Sequence, residues 1–463
     1  EKKLGFNVKL KWTLIVLGAF FVLANISLFG LSENALSRFE YLAIILGTDF
    51  GSIISLGIGP IVMASIILQL LSGSGILSID QTTPEGKRFF NGLQQLLVFF
   101  FIIFEAFVYV LMQGLQAVPG FTGIVIFQLI LGGIAIFYMD QVSQKWGFGS
   151  GVSLFIAAGV SWRLFTSAFQ FINQQGRNCL LDFNNVPCSG KVFVLIQSII
   201  NKYPIEFTSA LAALLTTALI FLAVVWAQSL KVEVPLSFGR IRGYTMKWPL
   251  AFFYASVIPV ILTAALVANI QLFGGLIENA AAPCFIEGGE CSGVAKFASY
   301  FSGFIGHFVN GQAVSGLAFW MGNTHLLDLI IKGGFLTKFL FQGLTHIIFF
   351  VVFSTLFSVF WVKTSGMDAK SQAKNITSSG LQVAGFRQDE RVIESILERY
   401  IMPLTFMGGA AIGLLAAITD LLGALVSGTA ILLAIMIMFQ FYQRIAQQHE
   451  TDMNPALKKF ISG

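Results

Sequence analysis

Long apolar runs, almost free of charge, alternate with short polar connections along the whole chain. Ten of them read as spans, at 12–31, 54–77, 93–115, 121–140, 151–170, 206–228, 250–273, 338–361, 403–420 and 424–443. Crossing the hydrocarbon core as a helix takes about 20 apolar residues. Backbone in lipid must satisfy its own hydrogen bonds, and runs of this length do so as helices rather than barrel strands. The pattern predicts an all-α integral membrane protein of about ten transmembrane helices. The first run, from Trp12, is long enough to span and stay, so no cleavable leader is expected.

Two interruptions break the rhythm. Before the second span, Tyr41 to Phe50 is apolar but gives way to Gly51, Ser52, Ser55, Gly57 and Gly59 ahead of Pro60. A helix broken at membrane depth is tolerated where it lines a cavity or is buried in protein, which points to a pore or substrate site. Residues 297–327 are the second. They carry no Lys, Arg, Asp or Glu, but do carry His307, Asn310, Asn323 and His325. The stretch 274–337 is therefore expected to be one large excursion, partly helical. Pro60 in the second span and Pro259 in the seventh hint at a repeat, with five spans on each side of the 171–205 loop. An odd number of spans per half makes such repeats inverted.

Composition changes the picture in one respect. Charged residues are 11% of the chain, against about 25% in ordinary soluble domains, so lipid must solvate most of it. The charges then give direction. With an internal N-terminus, Lys2, Lys3, Lys9, Lys11, Lys87, Arg88 and Lys145 fall inside, as do the basic residues of 229–249, 362–400 and the C-terminal tail. Only Arg38, Arg163, Arg177, Lys191, Lys202, Lys296, Lys332 and Lys338 fall outside. The bias predicts both termini cytoplasmic. All four cysteines lie in outside loops. Of the three pairings, the local ones, Cys179–Cys188 and Cys284–Cys291, close short loops and need no distant contact. Four free thiols are the alternative, which an oxidising outer face disfavours.

Catalytic chemistry finds little support. The chain has no HExxH, P-loop or GxSxG motif, and no cofactor or metal set. His346, inside a span, reads as a helix–helix hydrogen-bond partner. Asp140 and Asp420 fall at span ends, where headgroups or water are expected to reach them. Glu105 is the strong intramembrane charge. It supports an ion-coupled secondary transporter as one reading and a hydrogen-bonded glue residue as another. A membrane-embedded enzyme lacks a converging nucleophile–base set, and an assembly scaffold does not need a broken helix.

Several segments together resemble the SecY family, in its archaeal branch. They are Leu56-Gly-Ile-Gly-Pro-Ile-Val62, Gly149 to Gly159, Val232-Glu-Val-Pro-Leu236, Gly239-Arg-Ile-Arg-Gly243, Ile258-Pro-Val-Ile261, Ala268-Asn-Ile-Gln271 and Gly385-Phe-Arg387. They follow the family's order over essentially the whole chain. The resemblance implies two inverted five-helix halves around a central hourglass pore, divided at 1–170, 171–205 and 206–463. It implies a protein-conducting channel rather than an enzyme. Such a channel passes unfolded secretory polypeptides and releases hydrophobic segments sideways into lipid.

By motif, the pore ring would be Ile58, Val62, Val152, Ile156, Ile261 and Leu433. Branched aliphatics offer a passing chain no hydrogen bonds and resist ion leakage by dewetting. A plug would occupy about 41–57, comprising Tyr41, Leu42, Ala43, Ile44, Ile45, Thr48, Asp49 and Phe50. A lateral gate would carry Glu105 and Asn269, hydrogen-bonded to each other when closed, with Met63 nearby. Arg240, Arg242, Arg387 and Arg391 would dock the ribosome or a cytosolic motor. The implied partners are a SecE-type subunit, a small third subunit, signal sequences, nascent polypeptides and membrane lipid.

Overall fold

The computed structural model describes residues 4–34, 50–73, 76–77, 79, 83–112, 114–172, 177–181, 186–238, 245–255, 257–281, 284, 293–309, 312–322, 324–334, 337–378, 381–383 and 390–453. Among the described residues, nine helices are long and apolar enough to span a membrane. They are α1 (Phe6–Ala24), α3 (Pro84–Leu111), α4 (Thr122–Trp146), α5 (Gly151–Phe169), α7 (Pro204–Gln228), α8 (Ile258–Ala281), α12 (Thr337–Thr364), α14 (Glu390–Leu422) and α15 (Gly428–Met453). A tenth, α2 (Gly59–Gly73), has 15 residues and reaches only about 22 Å. It starts inside the bundle because the backbone before it, from Phe50 to Ile58, is not helical.

That irregular stretch lies where the sequence predicts a break before the second span, and its polar groups are satisfied locally. Ser55 N donates to Ser52 O (3.0 Å), Gly57 N to Ile54 O (2.8 Å) and Gly59 N to Leu56 O (3.2 Å). Gly51 N donates to Ser55 Oγ at 2.9 Å. Leu28 N donates to Gly51 O and Ile53 N to Ile26 O, each at 2.9 Å, which moors the stretch to the end of α1. Room for it comes from α4. A Cβ on Gly132 would stand 1.9 Å from Ile53 O, so only glycine lets the two backbones approach this closely.

Burial places α8 on the axis of the bundle. Of its membrane-length window 78% is enclosed, against 11% for α1 at the periphery. α2 packs against α3, α8 and α12, and α15 packs against α5, α7 and α14. Short elements fill the excursion after α8: α9 (Gly293–Ile305), the β5–β6 hairpin (Phe308–Val309 and Gln312–Ala313), α10 (Gly316–Met321) and α11 (Leu326–Ile331). On the same side, α6 (Lys191–Asn201) precedes α7, and β1 (Leu31–Asn34) pairs with β2 (Leu115–Ala117).

Two expected boundaries are corrected. Span 250–273 begins only at Ile258, because Leu250 and Ala251 end strand β4 (Thr245–Ala251). Their neighbourhood is apolar for another reason. Leu250, Tyr254 and Ala255 share a small core with Val362, Ala373, Ile376, Ile393, Leu397, Ile401 and Leu404. The loop 362–400 is likewise largely structured, by α13 (Ala369–Ser378), β7 (Leu381–Val383) and the first turns of α14. Ile393, Leu397 and Ile401 recur every fourth residue and bury one face of α14 in that core. Span 403–420 is thus the far part of a 33-residue helix that continues past Pro403. Between them, β3 (Lys231–Phe238) pairs antiparallel with both β4 and β7.

Candidate functional site

A cavity of about 940 Å³ opens among α2, α3, α4, α5, α8 and α15. Its outer part is bordered by Lys87, Trp361, Met367 and Arg444, on the face where the basic residues concentrate. Its walls carry Gln69, Asn91, Gln94, Gln95, Gln141, Gln144 and Gln440. Primary amides donate and accept alike and carry no charge, so they can hydrate or bond a polar chain of any sign.

The floor is different in kind. Val62, Val152 and Ile261 line it, with Ile437 beside them. Ile58 and Leu433 each sit one helical turn deeper than Val62 and Ile437, and Ile156 one turn deeper than Val152. These three are fully enclosed and belong to one buried cluster with Val62 and Ile261, against which Val152 packs. Of the six side chains named from the sequence, Val62, Val152 and Ile261 line the cavity, and all six belong to or pack against the same buried apolar cluster. Phe50 is buried in the same cluster. The other plug residues named above, Tyr41, Leu42, Ala43, Ile44, Ile45, Thr48 and Asp49, lie outside the described residues.

Beside the constriction, α2 meets α8 along a closed seam. Glu105 on α3 is fully buried there, and Gly59 at the start of α2 leaves space for its Oε2. Asn269 on α8 is also buried, and its Nδ2 donates to Ala265 O at 2.8 Å within its own helix. The expected Glu105–Asn269 hydrogen bond is not formed. Among the described residues, both Glu105 carboxyl oxygens and Asn269 Oδ1 have no hydrogen-bond partner. Each side chain is held by its own helix and neighbours rather than by the other. Met63 is half-buried on α2.

Asp140 and Asp420 are not aimed at headgroups, contrary to the expectation from their place at span ends. Both are buried. Asp140 Oδ1 accepts Val152 N at 3.0 Å and Oδ2 accepts Gln144 Nε2 at 2.7 Å. Asp420 Oδ1 accepts Thr429 N at 2.6 Å, and Oδ2 accepts the Thr429 hydroxyl. His346 bridges helices as expected, with Nδ1 2.9 Å from Met321 O, and its Nε2 lies 3.5 Å from Asp420 Oδ2.

On the basic face, Arg391 is exposed at the start of α14. Arg240, Arg242 and Arg387 lie outside the described residues. Sequence reasoning missed that the two polar loops 229–249 and 362–400 are joined by the β4–β3–β7 sheet. The alternation in Lys231-Val-Glu-Val-Pro-Leu-Ser-Phe238 was the available signal. On the opposite face, Cys179 and Cys188 form a disulfide, and Gln197 on α6 holds its loop through Cys188 N and Val186 O. Cys284 is also disulfide-bonded, and Cys291 lies outside the described residues.

Known proteins bear on this arrangement. A family model of SecY matches residues 52–442. The protein translocase subunit SecY of Methanothermobacter thermautotrophicus is 39% identical over 464 residues, covering 99% of this chain and 94% of that protein. The corresponding subunit of Methanocaldococcus jannaschii is 36% identical, covering 100% and 96%. A solved structure of a protein conducting channel superposes with a TM-score of 0.78 at 34% identity, covering 98% of this chain and 95% of that one. Sec61 in a canine ribosome–channel complex from the endoplasmic reticulum superposes with a TM-score of 0.75, also at 34% identity and with the same coverage.

Proposed function

The chain belongs to the SecY family, and on that premise we propose how its geometry works as a protein-conducting channel, with lateral release of hydrophobic segments into lipid. The observation that carries the reading is a cavity whose lining combines seven neutral amides with the aliphatic Val62, Val152 and Ile261. An unfolded chain brings charged, polar and apolar side chains in any order. Amide walls let it enter hydrated. A branched aliphatic waist then grips none of it, while its dewetted bore resists ions.

The waist is the ring of Ile58, Val62, Val152, Ile156, Ile261 and Leu433. The segment of about 41–57 is its plug. The α2–α8 seam is the lateral gate, with Glu105, Asn269 and Met63 beside it. An apolar segment entering the seam replaces the α2–α8 contact with its own side chains and partitions into lipid. The lack of a Glu105–Asn269 hydrogen bond favours this, because no bond between the two has to break first. Coupling through a Glu105 carboxylate, as in a transporter, is not favoured.

The two halves are 1–170 and 206–463, hinged at 171–205. The basic face is cytoplasmic, both termini lie there, and the membrane is the plasma membrane. Ribosomes are the driving partner on the likeness to a ribosome-bound channel, with a cytosolic motor as the other candidate. Arg240, Arg242, Arg387 and Arg391 supply positive charge for a phosphate-rich partner. A SecE-type subunit and a small third subunit complete the complex. Its substrates are signal-bearing nascent polypeptides.

The test places a photoreactive residue at Ile261, in membranes carrying a stalled nascent secretory chain. Crosslinks to many successive positions of that chain, only when its signal sequence is intact, are expected. A docked complex without any such crosslink would overturn the ring assignment.

A further inference from the structure

The two halves fix their last helix by the same device, and each device stands one and a half turns from a waist residue. α5 opens with Ser150-Gly151-Val152 and α15 with Ser427-Gly428-Thr429. In both, the serine hydroxyl accepts the amide three residues on, at 3.5 Å from Ser153 N and 3.4 Å from Ala430 N. Those are long contacts. The shorter bond goes to a buried carboxylate on the preceding helix. Asp140 takes the Val152 amide, and Asp420 takes the Thr429 amide, at the same position of each helix.

Both glycines are required for this approach. A Cβ on Gly151 would stand 2.7 Å from Asp140 Cα, and one on Gly428 would stand 2.0 Å from Thr419 O. Counting five residues from each glycine reaches Ile156 in one half and Leu433 in the other, and both are fully enclosed. The neighbouring walls repeat as well. Val62 and Ile261 each lie two residues beyond the proline at the second position of their helix, Pro60 in α2 and Pro259 in α8.

A helix N-terminus carries orphan amides and partial positive charge, so a carboxylate there is strongly oriented. Buried, the pair escapes the screening that weakens surface charges. Such a bond fixes both the height and the tilt of the helix it caps. The second oxygens are held too, by Gln144 Nε2 in one half and by the Thr429 hydroxyl in the other. The clamps face different surroundings. Asp140 borders the cavity, whereas Asp420 sits on the opposite side under His346.

We infer that Asp140 and Asp420 are positioning residues of the waist, one per half, each setting the register of the helix that carries Ile156 or Leu433. The inference rests on those two side chains lining the constriction.

Two readouts on the assembled, reconstituted complex test it. The first is crosslinking of Ile156→Cys and Leu433→Cys to a cysteine in a stalled translocating chain. The second is resting ion conductance. With both aspartates intact, both cysteines should crosslink; if neither does, the ring reading falls and the inference with it. Asp140→Ala should then lower the crosslink at position 156 and spare 433, and Asp420→Ala the reverse. Each should raise resting leak about fivefold or more, as loss of a cap worth 1–2 kcal/mol implies. Asn at either position keeps an acceptor oxygen and should restore most of the seal. Where an alanine variant does not assemble, Gln144→Leu and Thr429→Val weaken the same clamps, with an expected leak increase of about twofold. Thr83→Ala removes the cap of α3, through Gly86 N, and should leave leak unchanged. Intact ring crosslinks with an unchanged leak in the aspartate variants would overturn the clamps while leaving the ring. So would an equal leak from Thr83→Ala.

Discussion

Gly132→Ala is a one-methyl change that should open the seal from outside the pore. The added Cβ would stand 1.9 Å from Ile53 O, 2.8 Å from Ile53 C and 3.1 Å from Ile53 Cγ2. Ordinary contact starts near 3.4 Å, so the Ile53 peptide must retreat by roughly 1.5 Å. No rotamer change can absorb this, because the obstacle is backbone. Retreat also strains the Ile53 N to Ile26 O bond and the turns that lead to Ile58. Overpacking costs about 1–3 kcal/mol, and each buried hydrogen bond lost adds about 1 kcal/mol or more. A total of roughly 3–5 kcal/mol follows, directed at the segment that carries one wall of the waist. Gly159→Ala is the matched control. It lies inside α5 with nothing within 4 Å of the new methyl, so it should be neutral or stabilising by up to about 1 kcal/mol. The assay is resting ion conductance of reconstituted complexes, with detergent thermal stability alongside. Gly132→Ala should leak and melt several degrees early, and Gly159→Ala should do neither. A Gly132→Ala complex as tight and as stable as the parent would refute the reasoning.

Three further outcomes are expected. Among the described residues Glu105 is buried without a hydrogen-bond partner, so Glu105→Leu should relieve about 1–3 kcal/mol of unmatched polarity, tighten the seam and slow signal-sequence entry. Glu105→Gln should still translocate, and its complete inactivity in a translocation assay would revive a coupling role. Replacing Cys179 and Cys188 by serine frees a loop of about ten residues and should cost roughly 2–3 kcal/mol of local stability, read as faster proteolysis of 171–190. Burial pushes the Asp328 carboxyl up, but hydrogen bonds from Lys332 and Ser209 and the charges of Lys332 and Lys191 outweigh it and leave it lowered. A lowered carboxylate stabilises the fold above its unfolded value of 3.8, and that contribution is lost as pH falls through the lowered value. Hydrogen-exchange protection in α11, taken relative to the intrinsic rate at each pH, should therefore fall at the acid end, and Asp328→Asn should remove that fall while lowering protection at neutral pH.

Much of the fold was legible because lipid imposes one rule on every span. The apolar runs gave the helices, and Gly51, Gly57 and Pro60 marked the break before α2. Legibility failed where apolar residues serve a protein core rather than lipid. Leu250, Tyr254 and Ala255 read like the start of a span but pack against Ile393 and Leu397. The aliphatic ring could be named only through family motifs, since a valine or isoleucine in a span looks the same facing lipid or a pore. Asp140 and Asp420 were misjudged because distance from a span's end says nothing about which helix terminus a carboxylate meets. The glutamines of the cavity come from α2, α3, α4 and α15, and no linear pattern unites them.

The β4–β3–β7 sheet makes the basic face a lever. Its strands bind two loops separated in the chain into one stiff plate, and β4 runs within seven residues into α8. Tyr254, between them, is pinned through its hydroxyl to Met367 O at 2.7 Å, and the adjoining core grips the foot of α14. A large body seated on that plate would hold the seam helix by its end. Torque applied tens of ångströms from the waist would then arrive at Ile261 as rotation rather than be lost in slack. Grip and opening would share one mechanical part, so the free energy of seating the partner would do the prying.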